Sequence, residues 1–414
     1  MSPAVLSLVA LLLVLLTSLT SRINVGVLAV ALAWPIGLYA AQWKADVLMA
    51  TFPATLFLTL LGVTLLFAVA QANGTLAALA HRAVRLAGGH VALLPPLFFL
   101  LACAVSTVGP GAIAASALIA PLAMAIGGSA GVPAFLVALM VGNGANAGNL
   151  SPISAVGAMV QELMKSAGLG GHEWSVWAAN FVVHALVALG AFLLFGGVRL
   201  ARAARVSTVV AAPPIERRHW LTLAVTAAWI VGVVAFKANP GLSAFAAAAV
   251  LILAGAAEDV ASVKAVPWSV IVMVCGVSVL IGVLEKTGGM DLFTTMLARI
   301  STPGTVNGTI AFVTGVISTY SSTSGVVYPA FLPAVPGLVL KLGGGDPLQV
   351  AMSINVGAAL VDVSPLSTIG ALCLAALPGG QDPRPLFRKL LAWGFAMAVV
   401  GAVFCQFAIG WFAG

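Results

Sequence analysis

Ser151-Pro152-Ile153-Ser154-Ala155-Val156-Gly157-Ala158 returns as Ser364-Pro365-Leu366-Ser367-Thr368-Ile369-Gly370-Ala371, 213 positions further on. Each copy is a polar, proline-broken stretch inside a segment apolar enough to cross a bilayer. Lipid offers an opened backbone no hydrogen-bond partner, so such breaks persist only where protein buries them or a cavity runs past them.

The surrounding chain explains why a bilayer is the right frame. Of 414 residues, 61% are hydrophobic and 7% charged, and the mean hydropathy is +1.14. A soluble domain carries about 25% charged residues, so the composition is that of an integral membrane protein. The net charge of +7 does not point to nucleic acid, because the basic residues sit in short loops between apolar runs. Cys103, Cys275, Cys373 and Cys405 are scattered through apolar segments and read as small core hydrophobes. The first apolar run precedes the first cation, Arg22, the opposite polarity to a cleavable signal, and is expected to be a retained helix.

Apolar runs long enough to span fall at 4–20, 24–41, 50–71, 133–163, 174–198, 219–236, 241–257, 267–284, 347–377 and 388–412. Those at 133–163 and 347–377 are too long for one plain helix and carry the Ser-Pro motifs near their centres, as a discontinuous helix requires. Segments 91–127 and 307–341 are apolar but interrupted by Gly, Pro, Ser and Thr, and are expected to be re-entrant hairpins. Thr75–Leu86 and Met290–Ile300 are amphipathic and suit the membrane interface. The same order of elements therefore describes 1–198 and 219–414, joined by a linker at 199–218. Five crossings in each half make the second copy inverted, the logic of secondary transporters.

Charge sets the orientation. The linker holds Arg199, Arg202, Arg205, Arg217 and Arg218 against Glu216, and is expected to be cytoplasmic. Following the chain from there puts Arg22, Arg82, Arg85, Lys264, Arg384, Arg388 and Lys389 inside as well. Lys44, Lys165, Lys237, Lys286, Arg299 and Lys341 fall outside, a division of twelve to six, and both termini lie outside the cytoplasm.

The polar breaks supply the chemistry. One hairpin tip reads Ser106-Thr107-Val108-Gly109-Pro110-Gly111-Ala112 and the other Ser318-Thr319-Tyr320-Ser321-Ser322-Thr323-Ser324-Gly325. Proline and glycine free backbone groups there, and helix N-termini attract anions. Carbonyls and hydroxyls are hard ligands for Na⁺. Asn143, Asn146 and Asn149 share one helix face ahead of the first Ser-Pro, and Asp362 takes the place of Asn149 in the second half. An ionised Asp at mid-membrane costs roughly 2.5–3.5 kcal/mol and marks a functional group, either a cation ligand or a proton carrier. Lone His184 reads as a packed, hydrogen-bonded residue. The expected substrate contacts are Gly109, Pro110, Gly111, Asn149, Ser151, Pro152, Ser154, Ser322, Thr323, Ser324, Ser364, Pro365 and Ser367. The expected cation contacts are Ser106, Asn143, Asn146, Ser318, Thr319 and Asp362. Phosphate-loop, zinc-protease and nucleophile–base patterns are missing from the sequence, so it reads as no enzyme, needing no cofactor beyond a coupling Na⁺ or H⁺.

These motifs resemble the ion-transporter superfamily that includes the divalent-anion/sodium symporters, and within it the MatC-type malonate and dicarboxylate carriers. The resemblance rests on Leu61 to Arg85, on Ser106 to Ala112, and on Gly142 to Gly157. The symporters carry Ser-Asn-Thr at each tip; the matching residues are Pro110-Gly111-Ala112 and Ser322-Thr323-Ser324, so the first tip keeps only its backbone. The symporters' Na⁺-site residues map to Ser106 and Ser318, and their Thr-Pro breaks to Ser151-Pro152 and Ser364-Pro365. The resemblance implies an all-α polytopic elevator-type transporter, usually a homodimer, in the plasma (bacterial inner) membrane. It implies a small dicarboxylate of the malonate, malate or succinate class carried by Na⁺ symport. The alternatives are an inorganic-anion or cation/proton antiporter with Asp362 as proton carrier, or the membrane subunit of a binding-protein-dependent carrier.

Overall fold

A computed structural model of the chain describes residues 1–20, 23–84, 90–109, 111–200, 214–378 and 381–413, and every regular element among them is helical. The first half runs α1 (Pro3–Thr20), α2 (Val25–Pro35), α3 (Ala45–Met49), α4 (Ala54–Ala72), α5 (Thr75–Val84) and α6 (Leu94–Val108). It continues through α7 (Ala112–Ser129), α8 (Ala134–Asn149), α9 (Ala155–Ser166), α10 (Glu173–Leu194) and the single turn α11 (Gly197–Leu200). The second half runs α12 (Arg217–Phe236), α13 (Pro240–Leu253), α14 (Asp259–Ala265), α15 (Trp268–Lys286), α16 (Gly289–Ala298) and α17 (Val306–Tyr320). Then come α18 (Tyr328–Phe331), α19 (Val335–Leu342), α20 (Pro347–Leu360), α21 (Thr368–Ala375), α22 (Arg384–Ala408) and α23 (Gly410–Ala413).

Local chemistry sets several of these boundaries. Asn239 and Asp346 cap the amides that follow them, and each is succeeded by a proline at the first helical position. His219 and Glu216 close a reciprocal cap at the start of α12. Pro35 ends the regular part of α2, which runs on as a wider π turn over Ile36–Ala40. The two expected long crossings divide as α8 then α9 and α20 then α21, broken at 150–154 and 361–367. The hairpins differ in regularity. The return arm of the first is continuous α7, whereas that of the second passes through a π turn (Thr323–Val327), α18, a 3₁₀ turn (Leu332–Ala334) and α19. Pro329, Pro333 and Pro336 remove amide donors there and prevent one uniform helix. The connecting helices α3 and α14 were not expected from hydropathy.

Among the described residues, seven helices are long and apolar enough to cross a membrane. Large apolar side chains such as Leu100, Leu189, Val231 and Val403 point outward and exposed. A surface of that kind belongs in lipid, and the protein is an integral membrane protein.

Inside the bundle, α2 packs on α15 and α4 on α13, so each half lends a helix to the other. Glycine makes these crossings close. A Cβ on Gly26 would stand 2.2 Å from the Val272 carbonyl oxygen, and one on Gly62 would stand 2.2 Å from that of Gly241. The first hairpin lies on the broken helix behind it, α6 on α8, and the second does the same, α17 on α20. Of the cations assigned to the cytoplasm, Arg22, Arg85, Arg202 and Arg205 lie outside the described residues.

Candidate substrate-binding cavity

A cavity of about 70 Å³ opens where both hairpin tips meet both helix breaks. Its wall takes Ala112, Ile113 and Ala114 from the first tip, and Asn149, Ala155 and Val156 from the ends of α8 and α9. Ser322, Thr323 and Ser324 come from the second tip, and Asp362 and Thr368 from the second break. Leu60 and Thr64 of α4, with Pro267, Val270 and Ile271 at the start of α15, complete it.

Each contributor is held by the chain around it. Gly111 has φ +85°, a left-handed conformation open to glycine, and a Cβ there would stand 2.9 Å from Val156. The turn lets α7 begin with the Ala112 amide donating to Asn149 Oδ1 at 2.8 Å, which fastens the first tip to the end of α8. The Ala155 amide donates to the Gly109 carbonyl at 3.1 Å and fastens the same tip to α9. Ser154 donates to the Asn149 and Ser151 carbonyls and accepts from the Gly157 amide, so it closes the break and caps α9. Ser367 repeats the first part, donating to the Asp362 and Ser364 carbonyls. Gly157 and Gly370 leave room for these folded breaks: an added Cβ would meet the Ser151 and Ser364 carbonyl oxygens at 1.9 and 2.0 Å.

The second tip is hydroxylic. Ser322 accepts from the Gly325 amide at 3.0 Å, the duty that Asn149 performs for Ala112 in the first half. Asp362 is thereby left to face the cavity. It shares the cavity wall with Thr323, whose hydroxyl bonds Ser318. Asp362 is the one ionisable side chain among the lining residues, and it has no ion-pair partner among the described residues.

The expected site residues divide accordingly. Asn149, Ser322, Thr323, Ser324 and Asp362 line the cavity, and Gly109, Gly111 and Ser318 stand directly behind its wall. Pro110 lies outside the described residues. Ser151, Ser154, Ser364, Pro365 and Ser367 are buried in the breaks and shape them, while Pro152 lines a separate crevice of about 650 Å³. Ser106 is fully buried with an unpartnered hydroxyl, and Thr319 donates to the Gly315 carbonyl along its own helix.

Asn143 and Asn146 turn away from the cavity. The first donates to Leu139 and the second across to the Ala359 carbonyl at 3.2 Å. His184 is buried with Nδ1 on the Asn180 carbonyl at 2.8 Å, a packed and hydrogen-bonded residue as expected. Sequence reasoning missed the wall from α4 and α15, because apolar residues of spanning helices carry no mark of facing a site. Thr368, directly after the second Ser-Pro-Leu-Ser, was the legible omission.

Residues 1–149 match the family described as the dicarboxylate carrier protein MatC N-terminus. The N-terminal third is MatC-like. No curated protein matches the sequence significantly. Among solved structures, the Alcanivorax borkumensis YdaH transporter, whose crystal structure is described as revealing an unusual topology, has a similar fold. The similarity covers 99% of this chain and 99% of that one, at a TM-score of 0.63 and 18% identity. Both likenesses are to carriers or transporters and not to enzyme families, and the cavity where tips and breaks meet is mostly apolar with a few polar groups.

Proposed function

We propose that the protein is a secondary transporter for a small dicarboxylate of the malonate, malate or succinate class, coupled to Na⁺. The observation that carries this reading is the single cavity gathering both tips and both breaks. Helix N-termini and tip hydroxyls supply donors for a carboxylate. Asp362, Thr323 and Ser318 bring oxygens suited to the coupling cation. The MatC-like N-terminus favours a dicarboxylate over an inorganic anion.

On this reading the two halves are inverted repeats, and paired features support it. Gly144 packs on Phe99 and Gly357 on Ala311, while Gly157 and Gly370 both pack under a Ser-Pro break, each pair 213 positions apart. The tips and broken helices then slide as a unit past α2, α4, α13 and α15. The working unit is a homodimer in the plasma membrane, with both termini outside.

Purified protein in proteoliposomes is expected to accumulate labelled malonate or succinate when an inward Na⁺ gradient is imposed. Uptake that ignores Na⁺ but follows a proton gradient would replace Na⁺ by H⁺ and make Asp362 the proton carrier. Failure to move any C3 to C6 diacid under either gradient would remove the dicarboxylate reading.

A further inference from the structure

Where α8 begins, α10 ends and α22 begins, the helix ends leave a crevice of about 760 Å³ that shares no lining residue with the substrate cavity. Pro133 and Phe135 line it from α8, Leu193 and Leu194 from α10, and Lys389 from α22. Gly196, at φ +113°, turns the chain directly after α10, and the single turn α11 that follows adds Arg199 to the same crevice. The rings of Phe135, Phe195 and Trp393 meet edge-on, with centroids between 5.0 and 6.1 Å apart, and tie the three helix ends together.

The crevice has two chemical halves. Its ionisable lining residues are both cations, Arg199 and Lys389, and neither has an acidic partner among the described residues. Arg218 and Lys341, by contrast, pair with Glu216 and Asp291. Lys389 stands over the Phe135 ring at 6.0 Å. The other half is apolar and open: Leu193 and Leu194 are 54% and 75% exposed at the end of a helix long and apolar enough to span. Cations at the ends of spanning helices, with aromatic rings beside them, occupy the level of the lipid headgroups. Both cations also belong to the side that charge assigns to the cytoplasm.

A small anion would answer the two cations and leave the leucines bare. A zwitterionic lipid would cover the leucines but bring its own cation to Arg199 and Lys389. A lipid of net negative charge satisfies both halves, and basic pockets between spanning helices take such headgroups. We infer that this crevice binds an anionic phospholipid, its phosphate held by Arg199 and Lys389 and an acyl chain laid along Leu193 and Leu194. The site is independent of what the protein carries.

Titration of the purified full-length protein in neutral detergent with phosphatidylglycerol tests it, read as lipid retained in native mass spectrometry and as the shift in melting. Phosphatidylglycerol is expected to bind at least about tenfold more tightly than phosphatidylcholine of the same chains; equal binding of the two would overturn the inference. Arg199→Gln combined with Lys389→Gln is expected to weaken phosphatidylglycerol about thirtyfold, the scale of two cations at an anionic surface. Arg199→Lys combined with Lys389→Arg is expected to keep it. Arg384→Gln combined with Arg388→Gln removes as much charge from the start of α22 but outside the crevice, and is expected to leave binding unaltered. Equal losses in the two glutamine pairs would reduce the effect to net charge and overturn the site. Inorganic phosphate or glycerol phosphate shifting the melting as far as the lipid does would overturn the lipid as occupant. Leu194→Asp, at an exposed position where folding is not at stake, is expected to weaken the lipid with both cations in place. Unchanged binding in Leu194→Asp would overturn the path of the acyl chain.

Discussion

Asn149 offers the sharpest test of how the first tip is built. Its Oδ1 accepts the Ala112 amide at 2.8 Å, and the side chain is 4% exposed. Asn149→Ala removes the acceptor and leaves that buried N–H without a partner, which costs about 1–3 kcal/mol. At about 1.4 kcal/mol per factor of ten, local opening of the tip becomes about fivefold to 150-fold more frequent. Amide hydrogen exchange over the peptide containing Ala112 reads this directly.

Asn149→Asp keeps an acceptor in place, so its exchange is expected to stay near that of the parent. It also adds a second carboxylate to a cavity that already holds Asp362, so its malonate uptake is expected to fall below that of Asn149→Ala. Exchange at Ala112 unchanged in Asn149→Ala, or raised equally in both variants, would refute the fastening role. Equal uptake in the two variants would refute the electrostatic one.

Asp362→Asn, which makes the second break resemble the first, is expected to abolish or shift the cation dependence of uptake. Transport with unaltered rate and cation dependence would remove Asp362 from the coupling site. Gly157→Ala and Gly370→Ala each press a methyl onto a carbonyl oxygen at 2.0 Å or less, and overpacking of that order costs about 1–3 kcal/mol or more. Both are expected to lower the melting temperature and the yield of monodisperse protein, whereas Gly232→Ala, with nothing within 4 Å of its added carbon, is not.

Sliding makes its own prediction. The first tip now packs at Phe67 and the second at Met273, and the 214-residue offset between α4 and α15, which start at Ala54 and Trp268, turns these into Ile281 and Thr59. In the opposite state the second tip should therefore reach Ile281, a shift of about 12 Å at 1.5 Å per residue. In a background without the native cysteines, Gly325→Cys should cross-link to Met273→Cys and, in the alternate state, to Ile281→Cys. Cross-linking to position 273 alone, under every ion and substrate condition, would rule out the slide.

The all-helical, membrane-embedded character and the two polar breaks were legible in the sequence, because lipid imposes hydropathy on a crossing and tolerates an opened backbone in few places. The duplicated Ser-Pro motif likewise located the folded breaks, since the serine-to-carbonyl bonds that close them are local and repeat with the residues. What depended on tertiary structure was which polar groups meet. Asn143, Asn146 and Asn149 share a helix face in sequence, yet only Asn149, at the end of α8, reaches the cavity, because Asn146 is drawn to the Ala359 carbonyl of the other half. Ser322 performs in the second half the capping that Asn149 performs in the first, and so releases Asp362 to the cavity. The apolar walls from α4 and α15 were invisible for the same reason: whether an aliphatic side chain faces lipid, core or ligand depends on what is packed against it, and local pattern does not record that.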